Sequence, residues 1–152
     1  MTPLAMSPLD YSRIDVGDAL PDLVLPPVDR TVLALFAGAS GDHNPIHIDV
    51  DYARRAGMPD VFAHGMLVMA WLGRLITQWT PQRHLRELNA RFLGITHLGN
   101  IITCSGKVTE KLERCNEKLL RIEIRSTNQY GETKILGDAL VALRQSSPEA
   151  PI

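Results

Sequence analysis

Two hydrophobic periods divide this chain near residue 84. Before that point apolar residues return every three or four positions, as on one face of a helix. After it they alternate with polar ones, as on a half-buried strand. Arg30–Ala37 carries Val32, Leu33, Leu35 and Phe36 and reads as a short helix with Asp29 at its N-cap. Val50–Ala56 reads as a second, capped by Asp49 and closed by Gly57 at the position where left-handed backbone is common. Ala63–Trp79 is the strongest helix, and Pro81 ends it. It is apolar nearly all round, which predicts enclosure on most sides. Leu20–Leu25, Leu88–Ile95, Asn100–Leu112, the alternating stretch around Leu120, Ile122 and Ile124, and Thr133–Arg144 read as strands. A turn over Asn128–Glu132 joins the last two. One long buried helix followed by antiparallel strands predicts an α+β domain in which a single curved sheet wraps the helix.

The chain has 152 residues, 45% hydrophobic and 22% charged. This fits one globular domain over residues 1–152, with 1–10 and 146–152 as flexible ends. Sixteen Lys+Arg against seventeen Asp+Glu leave a net charge of −1 at pH 7. That balance lacks the basic excess that phosphate backbones select, and it argues against a nucleic-acid partner. The longest uncharged apolar run, Val61–Gly73, is stopped by Arg74. It falls short of the about 20 residues a bilayer needs, so no membrane partner is expected. Met1–Asp10 shows no signal-peptide pattern. Cys104 and Cys115, eleven apart in strand-like segments, read as buried reduced thiols. Both features predict a cytoplasmic protein.

Polar side chains crowd one place. Asp42, His43, Asn44, His47 and Asp49 lie within eight positions, in and just beyond the loop Gly38–His47. His64 and Gly65 open the buried helix. An imidazole titrates near neutrality, and a neighbouring carboxylate can orient it or carry a second proton, so this loop suits general acid–base work. The buried helix begins without a Ser, Thr, Asp or Asn cap. Its bare N–H groups and the partial positive charge of the helix end can hold a developing oxyanion. Together these features point to addition or removal of water beside a carbonyl. Asp42, His43, His47, Asp49 and His64 are also metal-ligand types. No His-Glu-x-x-His spacing accompanies them, and no metal is expected.

The run Ser40-Gly41-Asp42-His43-Asn44-Pro45-Ile46-His47-Ile48-Asp49, followed by Ala53 and then Ala63-His64-Gly65-Met66, resembles the MaoC-like acyl dehydratases. That family includes the (R)-specific enoyl-CoA hydratases. The resemblance covers about Phe36 to Met69. It implies the hot dog fold, an antiparallel sheet wrapped around one long central helix. It also implies a dimer joined sheet edge to sheet edge, as a homodimer or higher homo-oligomer, with a heteromer as the alternative. On the residues, it implies that Asp42 and His47 act on one water and that Gly65 holds the thioester oxygen. Met66 then flanks the substrate, His64 is a structural residue at the helix start with a substrate contact as the alternative, and Ser40, Asn44 and Pro45 support the loop. The implied reaction is reversible hydration of a 2-enoyl-CoA to the (R)-3-hydroxyacyl-CoA. It needs no cofactor, CoA being part of the substrate. Two positions depart from the pattern. Ala39 stands where relatives often carry a larger aliphatic, and Gly73 where some carry a Ser near the catalytic pair.

Two other functions fit the same fold: an acyl-CoA thioesterase, and a non-catalytic acyl-CoA-binding partner subunit. The intact Asp42/His47 loop favours hydration over both. Elsewhere the bland reading leads. His43 shapes the loop or faces solvent, and Met66, Met69 and Trp71 are packing residues that could also line an acyl tunnel. Arg83, Arg86 and Arg91 form a solvated face, with a CoA phosphate contact as the alternative. His84 and His97 are surface residues without an assigned role.

Overall fold

The computed structural model describes residues 9–143. Three helices, α1 (Arg30–Ser40), α2 (Val50–Arg55) and α3 (Gly65–Trp79), follow a two-residue strand β1 (Leu23–Val24). Strands β2 (Leu85–Phe92), β3 (Thr103–Arg114), β4 (Glu117–Thr127) and β5 (Thr133–Leu143) come after them. The five strands form one sheet in the order β1-β3-β4-β5-β2, and every neighbouring pair is antiparallel. The sheet wraps α3, which contacts β2, β3, β4 and β5.

The caps fall where the side chains predict. Asp29 accepts the N–H of Val32, and Asp49 accepts those of Asp51 and Tyr52. These bonds satisfy helix donors that have no partner within the helix. Gly57 has φ +86°, the left-handed conformation that lets the chain leave α2. Helix α1 runs three residues past its expected end, to Ser40, before Gly41 closes it at φ +75°.

One face of the sheet and the core side of α3 make the interior. Leu72, Leu75 and Ile76 of α3 meet Ile102, Cys104, Val108, Leu120, Ile122, Ile124 and Val141, each no more than 2% exposed. Leu119, Leu140 and Ala142, with Leu112, form a smaller apolar patch on the opposite face. Helix α3 is less enclosed than its sequence predicts: Met66, Ala70, Arg74, Thr77 and Gln78 face solvent. These positions recur at three- and four-residue steps, so they share one side of the helix that the sheet does not reach.

Other expectations shift by a few residues. The first predicted strand reduces to Leu23–Val24, though the chain still bonds to β3 at Gly17 and Leu20 and to the segment just before it at Leu25 and Val28. Pro21, Pro26 and Pro27 have no N–H to give a ladder, which interrupts it. Strand β2 ends at Phe92, so Ile95 lies outside it. Cys104 is buried as expected, but Cys115 is exposed. It shares the two-residue turn between β3 and β4 with Asn116, at φ 49° and 64°. Two successive positive φ angles match the twist of the flanking strands, and a turn of that kind sits at the sheet's rim. Of the ends expected to be flexible, Leu9 packs against the core and Asp10 accepts the N–H of Ser12. The remainder, 1–8 and 146–152, lies outside the described residues, as does Arg144.

Candidate active site

The loop that leaves α1 is built by its own short polar side chains. Ser40 Oγ accepts the N–H of Asp42 at 3.2 Å, and Asp42 Oδ1 accepts the N–H of Asn44 at 3.2 Å. Asn44 Oδ1 accepts the N–H of Ile46 at 3.1 Å and so caps the one-turn 3-10 helix Pro45–His47. Pro45 sits at the start of that turn, where a fixed φ is an advantage and a missing N–H costs nothing. Each side chain bonds backbone two residues on, the local habit of Asn, Asp and Ser in turns.

This scaffold sets His47. Its Nδ1 lies 2.8 Å from the backbone carbonyl oxygen of Phe62. A carbonyl only accepts, so Nδ1 carries the hydrogen and Nε2 keeps a free lone pair. The Phe62 ring meets the imidazole edge to face at 5.0 Å. Phe62 itself is fixed by a bridge to His97 and by the neighbouring bond from Ala63 N–H to Thr96 carbonyl oxygen, 2.9 Å.

His64 lies on the buried side of His47. It is 1% exposed, with its ring stacked on His47 at 3.9 Å and its Nε2 at 3.1 Å from the Asp42 carbonyl oxygen. Burial pushes its pKa below the usual histidine value, and the nearby His47 works in the same direction. The bond to the Asp42 backbone and the Asp42 charge oppose this. His64 is the N-cap of α3, yet its side chain caps nothing. The first turn of α3 therefore presents donors that no side chain of that turn accepts, beside an exposed Gly65.

One ligand-type atom from each of Asp42, His47 and His64 falls within 4.8 Å of the others. An ion bonded by both imidazoles at about 2.1 Å would have to lie in both ring planes. Rings stacked at 3.9 Å and tilted by only 29° have planes that do not meet within that reach of both. The cluster is suited to protons. A span under 4.8 Å between Asp42 and His47 is one that a single water can bridge with two hydrogen bonds of about 2.8 Å.

A mostly apolar cavity of about 370 Å³ opens beside Gly65, lined among others by Phe62, Val68, Phe92, Thr96 and Lys134. At Gly65 a Cβ would meet the Phe92 ring at 3.0 Å, so the ring would have to give by a few tenths of an ångström. Met66, next along the helix, is 55% exposed. At Gly73 a Cβ would sit 3.8 Å from Leu88, an ordinary contact, so the missing Ser reflects no steric limit.

The structure separates the other candidates from this cluster. His43 is exposed, and Asp49 is occupied in capping α2. Arg86 is held by Glu117, with both guanidinium contacts at 3.0 Å or less, and lies beyond the far end of α3. His84 Nδ1 pairs with Thr80 Oγ1 at 2.9 Å. Sequence reasoning missed Phe36, Phe62 and Phe92, which pack on His64, His47 and Gly65. Phe62 acts on His47 partly through its backbone oxygen, which carries no sequence signal. Phe92 had one: it ends an alternating strand pattern on the side of Leu88 and Ala90.

Comparison with known proteins follows the same lines. A family model described as "MaoC like domain" matches residues 21–129. The (R)-specific enoyl-CoA hydratase of Aeromonas caviae is 27% identical over 113 residues, 73% of this chain and 83% of that protein. The mitochondrial 3-hydroxyacyl-[acyl-carrier-protein] dehydratase of Arabidopsis thaliana is 24% identical over 108 residues, 71% of this chain and 65% of that protein. Fungal fatty acid synthase β subunits also match, but the chain spans only about 5% of their length. The unliganded R-hydratase of Pseudomonas aeruginosa superposes with a TM-score of 0.80 at 27% identity, covering 94% of each chain. The sheet wrapped around α3 is the hot dog fold of these neighbours.

Proposed function

Because this chain belongs to the MaoC-like domain family, whose members include enoyl-CoA hydratases and acyl dehydratases, we propose that it reversibly hydrates a 2-enoyl-CoA to the (R)-3-hydroxyacyl-CoA. One observation carries the reading. His47 spends its Nδ1–H on Phe62, which leaves Nε2 to accept a proton, and its imidazole lies within one water's reach of the Asp42 carboxylate. In the hydration direction His47 takes a proton from the water as its oxygen bonds to C3. Electron density moves through C2 to the thioester oxygen, which the Gly65 N–H and the α3 dipole stabilise. Asp42 orients the water, and the proton that His47 took is returned to C2 with Asp42's help, so the pair ends as it began. With its carbonyl at Gly65, the thioester places one of its arms in the adjoining cavity. The reaction needs no cofactor.

An exposed strand edge supports the dimer. Strand β2 pairs only with β5 among the described residues, and Phe92, Leu93 and Ile95 beside its end are each at least 41% exposed. A second copy adding its own edge would remove both liabilities. No helix among the described residues is long and apolar enough to cross a membrane.

The test uses enoyl-CoA thioesters of varied acyl shape. Loss of enoyl absorbance without free thiol is expected. Asp42→Asn and His47→Ala should each lower kcat by about 10²–10⁴-fold, the range for a positioned acid or base, with unchanged circular dichroism. Release of free thiol would move the assignment to a thioesterase, and wild-type rates in both variants would end the Asp/His mechanism.

A further inference from the structure

His64 is 1% exposed and touches α1, His47 and the Asp42 backbone at once. Phe36 of α1 meets its ring edge to face at 5.0 Å, and His47 stacks on it at 3.9 Å. Its Nε2 faces the Asp42 carbonyl oxygen at 3.1 Å. Since that oxygen can only accept, Nε2 carries the hydrogen and Nδ1 is the bare nitrogen. Nδ1 is buried and has no partner. A second proton would sit there with nothing to receive it, at the desolvation cost of an unpaired buried charge. The ring is therefore held in one tautomer and uncharged.

Three consequences meet at this residue. The Asp42 backbone is tied to the position directly before Gly65. The face behind His47 is a neutral aromatic surface, which an imidazolium formed at His47 can rest on, whereas a second charge at 3.9 Å would oppose it. The spacing between the water-binding pair and the first N–H groups of α3 runs through one side chain.

We propose that His64 is a positioning residue for the hydration reaction: its Nε2–H fixes the Asp42 backbone, and its uncharged ring backs His47, so the pair and the Gly65 N–H keep one spacing. This rests on the function proposed above.

Two variants of the full chain separate its parts. His64→Phe keeps a flat ring and loses the donor. His64→Gln keeps an N–H at the reach of Nε2. Small misplacements of reacting groups cost about 10²-fold, so His64→Phe should lose about that much kcat. Its KM should stay within about threefold, because substrate contacts are untouched. His64→Gln should recover at least about tenfold of the loss, the weight of one donor bond. Wild-type kcat in both variants, or a loss carried mainly by KM, overturns the proposal. So does a loss in His64→Phe that His64→Gln leaves unrelieved.

A long-range proton–nitrogen spectrum of the unmutated protein serves even where a variant fails to fold. It should show His64 as the neutral Nε2–H tautomer at neutral pH, and either the Nδ1–H tautomer or the imidazolium overturns the proposal. The two levels of failure are distinct. A wild-type chain that hydrates no enoyl thioester removes the function and this inference together. An active chain that Asp42→Asn silences while both His64 variants run normally removes only the inference.

Discussion

Gly137 lies in the middle of β5, paired with Ala90 of β2 on one side and Ile124 of β4 on the other. A Cβ at this position would stand 2.0 Å from the Asn89 carbonyl oxygen and 3.0 Å from its carbon. Carbon and oxygen approach no closer than about 3.3 Å even in favourable contacts. In Gly137→Ala the β2 backbone must therefore retreat by more than about 1 Å. Overpacking of this kind costs about 1–3 kcal/mol. One or two stretched ladder bonds add about 1 kcal/mol each. A total of about 3–4 kcal/mol, at about 2–4 °C per kcal/mol for a chain of this size, lowers the melting temperature by about 10 °C. Gly38 is the control. It sits inside α1 with nothing within 4 Å of a Cβ, so Gly38→Ala should stabilise by about 0.5–1 kcal/mol. Thermal melts followed by circular dichroism measure both. A Gly137→Ala midpoint within about 2 °C of wild type would refute the reasoning, because the clash is with backbone and no rotamer can relieve it. The retreat would also carry Phe92 away from Gly65, so activity should fall with stability.

Further outcomes follow from burial and capping. Cys104 has its thiol pKa pushed up to about 12 by burial, with the Asp22 carboxylate adding to it. A thiol reagent should label Cys115 in the folded protein and Cys104 only after unfolding; rapid labelling of both in native protein would contradict this. The unfolded chain releases that proton near 9.0 and the folded chain does not. The stability this contributes is full below pH 9 and drains as pH rises towards 12, a loss that urea titrations should find absent in Cys104→Ala. His64 has the opposite sign. Burial, helped by His47, holds its pKa below 6.5, so the unfolded state gains a proton that the folded state refuses. Stability should decline as pH falls below about 6.5, and the decline should shrink in His64→Gln; an unchanged slope would remove His64 as its source. Asp29→Ala strips the cap of α1 and should cost about 1 kcal/mol in urea unfolding, with no cost expected if Val32 N–H is served by water instead.

Local rules read the caps well because each involves residues only two or three apart. Asp29, Asp49 and Gly57 needed no knowledge of the rest of the chain. The same holds for the Asn128–Glu132 turn, where Gly131 takes φ +80° and Asn128 accepts two backbone N–H groups. The turn at Cys115 and Asn116 was not legible, since its residues lack the usual Gly. The β1 ladder was overcalled because its prolines remove donors only where a partner strand needs them.

The amino-acid order alone determined a curved antiparallel sheet wrapped around one long helix, the loop that carries Asp42 and His47, and the absence of a side-chain cap on α3. Each depends on periodicity or on neighbours along the chain, which act over a few bonds. Tertiary structure decided which imidazole nitrogen is free, since the Phe62 oxygen that settles it lies fifteen residues away. It also decided that His64 is buried against His47 and Phe36, and that Phe92 closes over Gly65. Contacts of that kind depend on how α1, α3 and β2 pack together, and a backbone carbonyl or a ring face placed by packing is the same in every sequence until the fold brings it to its partner.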